Sequence, residues 1–175
     1  MFPFLNWRLP VSEQVAESRP TLEQAAAVLA ELIPGDHGLR VVEVRPPHRL
    51  VCAAGPDGLE YALGGSVSGP TLFKLVDYAA FLTVNACVGK MRSAVLAQAS
   101  MSFLEPAQPG ALRIAVDIVQ LSLRSAVTDV RVTDGRDWLV AMASLHFSLP
   151  TRAARRATGP DDPVAQPVAP IGRTA

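Results

Sequence analysis

The chain has 175 residues, of which 49% are hydrophobic and 18% are charged, and its mean hydropathy is +0.24. A chain of this length forms one domain with a substantial core. Sixteen basic and sixteen acidic residues give a formal net charge of +0, so nothing in the charge balance indicates nucleic acid or an anionic membrane as a partner. An apolar surface with few charged residues indicates self-association instead.

The cysteines and the first residues of the chain indicate the cellular compartment that we expect. Cys52 and Cys87 lie far apart among apolar residues, which predicts two buried thiols and gives neither a disulfide framework nor a metal-binding spacing. The first residues lack the basic start and the long apolar run of a signal peptide. No window reaches the ~20 apolar residues that are needed to span a bilayer. We therefore expect a cytoplasmic protein without a membrane partner.

The first third of the chain predicts an arm, a helix and short strands. Prolines at positions 3, 10 and 20 predict an N-terminal arm over residues 1–20, ahead of a domain over residues 21–150. Thr21 is the expected N-cap of a helix that continues to about Ile33. Strands are predicted over three short segments, with a turn at 55–58 after the second: 39–45, 48–53 and 59–63.

A glycine-rich turn leads directly into the most apolar helix of the chain. The turn runs from Gly64 to Pro70, and the helix from Pro70 to about Val88 is apolar on nearly all sides, so we expect it to be buried. Asp77 is the acidic residue of this helix and stands two turns from its start. Unpaired backbone N–H groups at a helix start and a carboxylate two turns later are two parts that a hydrolytic site needs.

The last third predicts four long antiparallel strands that form a meander, followed by a tail. The strands cover about 95–103, 111–118, 124–133 and 138–149, and Asp134-Gly135 predicts a tight hairpin between the last two. Such strands exceed the typical ~5–6 residues and could wrap around the buried helix. Residues 151–175 show no periodicity and predict a disordered tail. In the first strand, five residues are predicted to share one face: Val95, Ala97, Ala99, Met101 and Phe103.

Each candidate residue also has a purely structural interpretation. Asp77 fits an ion pair with Lys74 at i, i+3, and Arg124 fits a solvated strand end. Gly64-x-Ser66-x-Ser68 misses the Gly-x-Ser-x-Gly nucleophile elbow by its last residue, and no α/β-hydrolase pattern surrounds it. The three histidines show no ligand spacing, so no metal site is predicted.

One buried helix ahead of four antiparallel strands resembles the hot-dog fold, an α+β fold in which an antiparallel sheet wraps around a central helix. The order of motifs is similar to that of the PaaI-like acyl-CoA thioesterases. Ser68-Gly69-Pro70 stands where that family has His-Gly-Gly, and Asp77 lies at the matching distance for its acid. The resemblance covers roughly residues 38–149 and includes two further segments: Phe103-Leu104-Glu105-Pro106-Ala107 with Gly110, and Ser122-Leu123-Arg124.

The resemblance implies a function and a set of site residues. It implies hydrolysis of an acyl-CoA or acyl-carrier thioester without a metal or redox cofactor, in a homodimer or dimer of dimers whose sites lie between subunits. Asp77 would act as general base on water or as nucleophile, and the N–H of Gly69 would hold the carbonyl oxygen. Ser68 and Pro70 would line the substrate site, and Arg124 would meet a coenzyme A phosphate.

Two departures from the family pattern keep a second interpretation open. Ser68 replaces the histidine but can cap the helix, and Pro70 replaces the second glycine and has no N–H. These residues favour a non-catalytic hot-dog module that binds an acyl-CoA or acyl group as a sensor or carrier, whereas Asp77 and Gly69 favour the enzyme. A hot-dog dehydratase is the third interpretation, and it is disfavoured because no histidine accompanies the acid.

Overall fold

The first helix, α1 (Leu22–Leu32), begins at a capping box. We describe the chain from a computed structural model that covers residues 20–35, 37–45, 48–88 and 94–149, so the predicted tail and nearly all of the predicted arm lie outside the described residues. The Gln24 N–H donates to Thr21 Oγ1 at 3.2 Å, and the Thr21 N–H donates to Gln24 Oε1 at 2.9 Å. The predicted N-cap is therefore confirmed, and the buried Ala25 and Leu29 attach this helix to the core.

Two of the three short strands predicted before the central helix are present. Strands β1 (Leu39–Arg45) and β2 (Arg49–Ala54) pair antiparallel, and a 3-10 turn at Pro56–Gly58 follows. The third predicted strand, over residues 59–63, is wrong. Only an isolated bridge joins Tyr61 to Val67, because the chain folds back on itself through local hydrogen bonds around Gly65, whose φ is +79°.

Helix α2 (Gly69–Val88) is followed by four strands whose pairing differs from the predicted meander. The strands are β3 (Val95–Phe103), β4 (Leu112–Leu121), β5 (Ser125–Thr133) and β6 (Leu139–Ser148). The sheet order is β1-β2-β4-β5-β6-β3. Strand β3 cannot pair with β4, because β2 and β5 occupy both edges of β4. It pairs antiparallel with β6 instead and forms one edge of the sheet.

One face of the sheet, the inner face, is buried against α2. Buried residues alternate with more exposed residues along β4, β5 and β6, and α2 packs across these strands and β2. The opposite, outer face carries polar side chains such as Arg113, Asp129 and Ser144. The predicted architecture, an antiparallel sheet wrapped around a central helix, is confirmed. The helix covers the inner face with fully or nearly fully buried residues: Leu72, Leu75, Val76, Ala79, Ala80 and Leu82.

Strand β3 departs from the predicted alternation because it contains a bulge between Leu96 and Gln98. Leu96 pairs with Phe147 and Met101 pairs with Ala143, so the inner face of β3 carries Leu96 and Met101 together with Ala99 and Phe103. Most of this strand is exposed, and Phe103 keeps 54% of its surface accessible. The strand contains no charged residue and no proline, so in a single chain it is an unprotected sheet edge.

The hairpin predicted at Asp134-Gly135 is confirmed between β5 and β6. The Asp134 N–H donates to the carbonyl of Trp138 at 3.1 Å, and the positive φ of 60° falls on Asp137 rather than on the glycine. The buried Asp134 carboxylate accepts hydrogen bonds from the guanidinium and the backbone of Arg136. These hydrogen bonds lower the pKa of Asp134 to about 2.

Replacing Asp134 with alanine should destabilise this hairpin without affecting any proposed site residue. We expect the free energy of unfolding to fall by about 1–3 kcal/mol at neutral pH, because charge-assisted hydrogen bonds are lost. The folded-state pKa of about 2 lies below the ordinary value of 3.8, so this contribution is present above about pH 4 and is lost as the pH falls toward 2. Chemical denaturation of wild type and variant at about pH 4 and at about pH 2 measures how this contribution changes. Equal losses for the exposed-site variant Asp129→Ala would contradict the assignment.

Candidate functional site

The start of α2 is capped by its own sequence. Ser68 precedes the helix, its carbonyl accepts from the Leu72 N–H at 3.0 Å, and its hydroxyl oxygen accepts from the Thr71 N–H at 3.3 Å. The Ser68 hydroxyl in turn donates to Thr71 Oγ1 at 2.9 Å. The predicted capping role is therefore present, and the single proton of the Ser68 hydroxyl is directed at Thr71 rather than at the solvent.

The loop ahead of α2 is anchored on both sides. The Ser68 N–H donates to the carbonyl of Glu60 at 2.8 Å, and the Val67 N–H donates to the carbonyl of Ala107 at 2.9 Å. The first bond holds the loop to the segment that precedes it, and the second holds it to the segment that follows β3. The position of the Gly69 backbone is consequently determined by two neighbouring parts of the chain and not by the helix alone.

Gly69 is not required by the backbone or by packing. Its φ is not positive, and a Cβ added to it would lie 3.7 Å from Cε1 and Cζ of Phe103, an ordinary van der Waals distance. Among the described residues, the Gly69 N–H donates to no backbone carbonyl. Pro70 follows it at an exposed position and has no N–H. The glycine therefore leaves a space beside a free N–H at a helix N-terminus, where anions are stabilised.

Asp77 lies two turns further along the helix and is half-buried. Burial raises the pKa of its carboxyl above the ordinary value of 3.8. The ion pair between Asp77 and Lys74 that the sequence allows is not formed. Lys74 pairs with Glu60 instead, with its Nζ 3.9 Å from Glu60 Oε1. Within the part of the chain that the structure describes, no ion pair or hydrogen bond engages the Asp77 carboxylate. A partly desolvated carboxylate without a partner is available to act as a base or nucleophile.

Asp77 belongs to a row of residues spaced four apart on α2. Residues spaced this way lie on one side of a helix, and this row faces the β3 side of the molecule. At its start, Gly69 lies against Phe103, the last residue of β3; further along, Phe81 lies 6.5 Å from Phe147, ring centroid to centroid. Phe147 pairs with Leu96 at the other end of β3. Asp77 therefore lies on α2 between Gly69, which is next to Phe103 of β3, and Phe81, which is next to Phe147 of β6.

The structure brings Ser68, Gly69 and Pro70 together, but it does not bring Arg124 to them. Arg124 lies in the turn between β4 and β5, where its carbonyl accepts from the Leu149 N–H at 2.8 Å. That turn is at the end of the sheet opposite to Phe103 and the start of α2. A contact between Arg124 and a substrate held at Gly69 of the same chain would have to span the length of the sheet.

No group of three or more His, Cys, Asp or Glu side chains among the described residues could hold a metal ion. Among the helices that are described, none is long and apolar enough to cross a membrane.

Comparison with known proteins agrees with this geometry. A sequence model of the thioesterase superfamily matches residues 64–141, slightly under half of the chain, which includes the glycine-rich turn and Asp77. A comparison with curated proteins found no significant match. Three solved structures illustrate the likeness. A proposed thioesterase from Silicibacter sp. is 25% identical, with 79% of this chain and 97% of that chain covered and a TM-score of 0.71. A mutant of the phenylacetic acid degradation protein PaaI from Thermus thermophilus is 28% identical, with 65% of this chain and 95% of that chain covered and a TM-score of 0.55. The Escherichia coli PaaI protein is 17% identical, with 74% of this chain and 96% of that chain covered and a TM-score of 0.61.

The fold is the hot-dog fold, and the chain is similar to the thioesterase superfamily over residues 64–141. The predicted resemblance to PaaI-like hot-dog thioesterases is confirmed by the superfamily match and by the two PaaI structures. This likeness supports thioester hydrolysis as the general chemistry.

Proposed function

We propose that the protein hydrolyses an acyl-CoA-type thioester, with Asp77 as general base or nucleophile and the Gly69 N–H as donor to the carbonyl oxygen. One observation carries the proposal: the half-buried Asp77 carboxylate has no partner among the described residues and lies on the helix that begins at an unused N–H. A partly desolvated acid and a preorganised N–H donor supply the base and the charge stabilisation that acyl transfer needs.

In the general-base form, Asp77 takes a proton from a water molecule as the water oxygen bonds to the thioester carbonyl carbon. The carbonyl oxygen becomes an oxyanion, and the Gly69 N–H donates to it. The C–S bond then breaks, the thiolate accepts the proton from Asp77, and a carboxylic acid and a thiol leave. In the nucleophile form, the carboxylate attacks the carbonyl carbon directly, the C–S bond breaks and the thiolate leaves. Water then hydrolyses the anhydride to the carboxylic acid product and protonated Asp77, which gives its proton to the thiolate.

The two groups cannot meet one carbonyl within a single chain. Asp77 lies eight positions after Gly69, which corresponds to about 12 Å along the helix axis. A donor and a base acting on one thioester must each lie within hydrogen-bonding reach of it. We therefore propose that Gly69 of one protomer works with the partner subunit's Asp77 in a homodimer, or in a dimer of dimers. The uncharged edge strand β3 is the surface that a second copy would cover.

Mixing two variants of low activity should restore activity if the site is shared in this way. In a heterodimer of Asp77→Asn and Gly69→Ala chains, one site combines the intact Gly69 with the intact Asp77 and the other site lacks both. After random subunit exchange we expect about a quarter of the wild-type activity. The steady-state rate of thioester hydrolysis by the refolded mixture measures this activity. Light scattering verifies that the mixture is dimeric. A mixture no more active than its components, or a monomeric wild type at micromolar concentration, would contradict the shared site.

A thioester hydrolysis screen tests the proposed function itself. The full chain is incubated with acyl-CoA thioesters of graded acyl length and with the corresponding acyl-pantetheine thioesters, and the released thiol is measured. We expect turnover of at least one acyl-CoA without added metal.

Arg124 provides a separate test of which carrier is used. If Arg124 meets a coenzyme A phosphate, Arg124→Ala should raise KM for acyl-CoA several-fold and leave KM for acyl-pantetheine unchanged, because only coenzyme A carries the nucleotide phosphates. Equal KM values for wild type and variant on acyl-CoA would remove Arg124 from the site.

The second candidate function is a non-catalytic module that binds acyl-CoA or an acyl group as a sensor or carrier. Two observations favour it: the Ser68 hydroxyl is engaged by Thr71, and Pro70 offers no N–H. Both leave fewer donors for an oxyanion than a His-Gly-Gly turn would offer. Tight binding of acyl-CoA in a calorimeter, without any thiol release in the screen, would select this function over hydrolysis.

A further inference from the structure

We propose that Phe103 is a positioning and specificity residue whose ring closes one side of the space in which the Gly69 N–H meets the substrate carbonyl. This inference rests on the proposed thioester hydrolysis and adds a residue to it. The ring atoms Cε1 and Cζ are the nearest atoms to the space that a side chain on Gly69 would occupy, at 3.7 Å. The empty volume beside the N–H therefore has Phe103 as its wall.

Both partners of this contact are held by backbone hydrogen bonds. Phe103 pairs with Ala141 on β6, and immediately after it the N–H groups of Leu104 and Glu105 both donate to the carbonyl of Val140, at 2.9 and 3.3 Å. The loop that carries Gly69 is held by the backbone bonds to Ala107 and Glu60 described above. The ring and the N–H consequently keep their relative position before any substrate arrives.

The exposure of the ring indicates that something else is meant to cover it. Phe103 belongs to the inner face of β3, yet 54% of its surface is accessible in the single chain, and its Cε1 and Cζ atoms lie 3.7 Å from the position that a Cβ on Gly69 would take. A ring that served only to fill the core would be buried. An aromatic ring beside the oxyanion donor, with the rest of its surface open in the single chain, is placed to contact the acyl group of a substrate.

The ring has one physical effect on the reaction. It excludes water from the N–H, which strengthens the hydrogen bond to a developing oxyanion because the local dielectric is lower. This effect acts on the transition state, so removing the ring should lower kcat more than it raises KM.

The test uses the full-length chain with Phe103→Leu and Phe103→Ala, and with Trp138→Leu as the matched control. Trp138 is equally exposed, at 56%, and lies at the same end of the sheet in the β5–β6 turn. For the best acyl-CoA of the screen we expect kcat to fall about 10-fold to 100-fold in the Phe103 variants, with KM and the dimer mass little changed. Phe103→Ala should also accept acyl groups branched next to the carbonyl relatively better, because the wall is gone. The control should keep wild-type kinetics.

A double-mutant cycle with Gly69→Ala separates this role from a general loss of structure. The methyl group that Gly69→Ala introduces would press toward the ring, so we expect this substitution to cost about threefold less in a Phe103→Ala background than alone. Additive effects would overturn the inference, as would wild-type kcat and acyl preference in both Phe103 variants. A loss of activity that disappears once the dimer is restored at high protein concentration would make Phe103 an interface residue instead. If the wild type hydrolyses no thioester, the proposed function fails together with this inference.

Discussion

Asp77→Asn should fold, bind acyl-CoA and hydrolyse it at least ~10² more slowly than the wild type in kcat. Asparagine keeps the size and polarity of the side chain but has no negative charge with which to accept a proton from water or attack a carbonyl. Asp77 is the acidic residue of α2, so no other carboxylate on this helix can take its place. Steady-state kinetics for the variant and calorimetric binding of the acyl-CoA measure both parts of the result.

The matched control is Asp129→Asn, which removes an exposed carboxylate from the outer face of β5. It should hydrolyse thioesters as the wild type does, because it lies on the side of the sheet away from α2. Wild-type kcat in Asp77→Asn would remove this residue from the mechanism. Loss of activity in both variants would point to a general charge effect instead.

Asp77→Asn should leave the protein at least as stable as the wild type at neutral pH. Burial raises the pKa of Asp77 above 3.8, so between the two pKa values the folded state binds more protons than the unfolded state, and wild-type stability falls as the pH rises through that range. Asparagine carries no charge at any pH. Thermal melting should therefore show any gain in the variant at about pH 7 and its disappearance toward about pH 4. The acidic limb of the wild-type kcat/KM profile should also lie above the ordinary aspartate pKa.

Gly69→Ala should preserve the fold and still lower kcat/KM by about 10-fold to 100-fold. The φ of Gly69 is not in the left-handed region and a Cβ would meet only the Phe103 ring at 3.7 Å, so nothing in the chain itself rejects alanine. Alanine in a helix is also favoured over glycine by up to ~1 kcal/mol. The loss of activity would come from the methyl group, which would occupy the space beside the N–H that the carbonyl needs.

Gly64→Ala is the control for this second substitution. Gly64 lies in the exposed turn before α2, and a Cβ there would meet no atom within 4 Å. Melting temperatures and steady-state kinetics of both variants show whether Gly69→Ala lowers activity without destabilising the fold. A Gly69→Ala protein with full activity would show that the site does not use this N–H. A Gly69→Ala protein that melts well below the wild type would show that the glycine has a structural role that the geometry does not reveal.

Much of the local structure was predictable from the sequence, because it depends on residues a few positions apart. Thr21 and Gln24 cap α1 reciprocally, and Ser68 caps α2 with its own hydroxyl. The apolar run after Pro70 predicts a helix buried on most sides, and the structure shows it against the inner face of the sheet. Together with the resemblance to the PaaI-like thioesterases, these short-range signals predicted the fold class and the candidate site residues.

The pairing of distant segments was decided only by the tertiary structure. The sequence places β3 directly before β4, yet β4 is already flanked by β2 and β5, so β3 pairs with β6 and becomes an edge. The bulge after Leu96 puts that residue on the face of β3 that carries Phe103. Lys74 pairs with Glu60 and not with Asp77 because the preceding loop folds back along the helix start. The contact between Phe103 and the start of α2 likewise depends on strand register and loop anchoring, which no local pattern encodes.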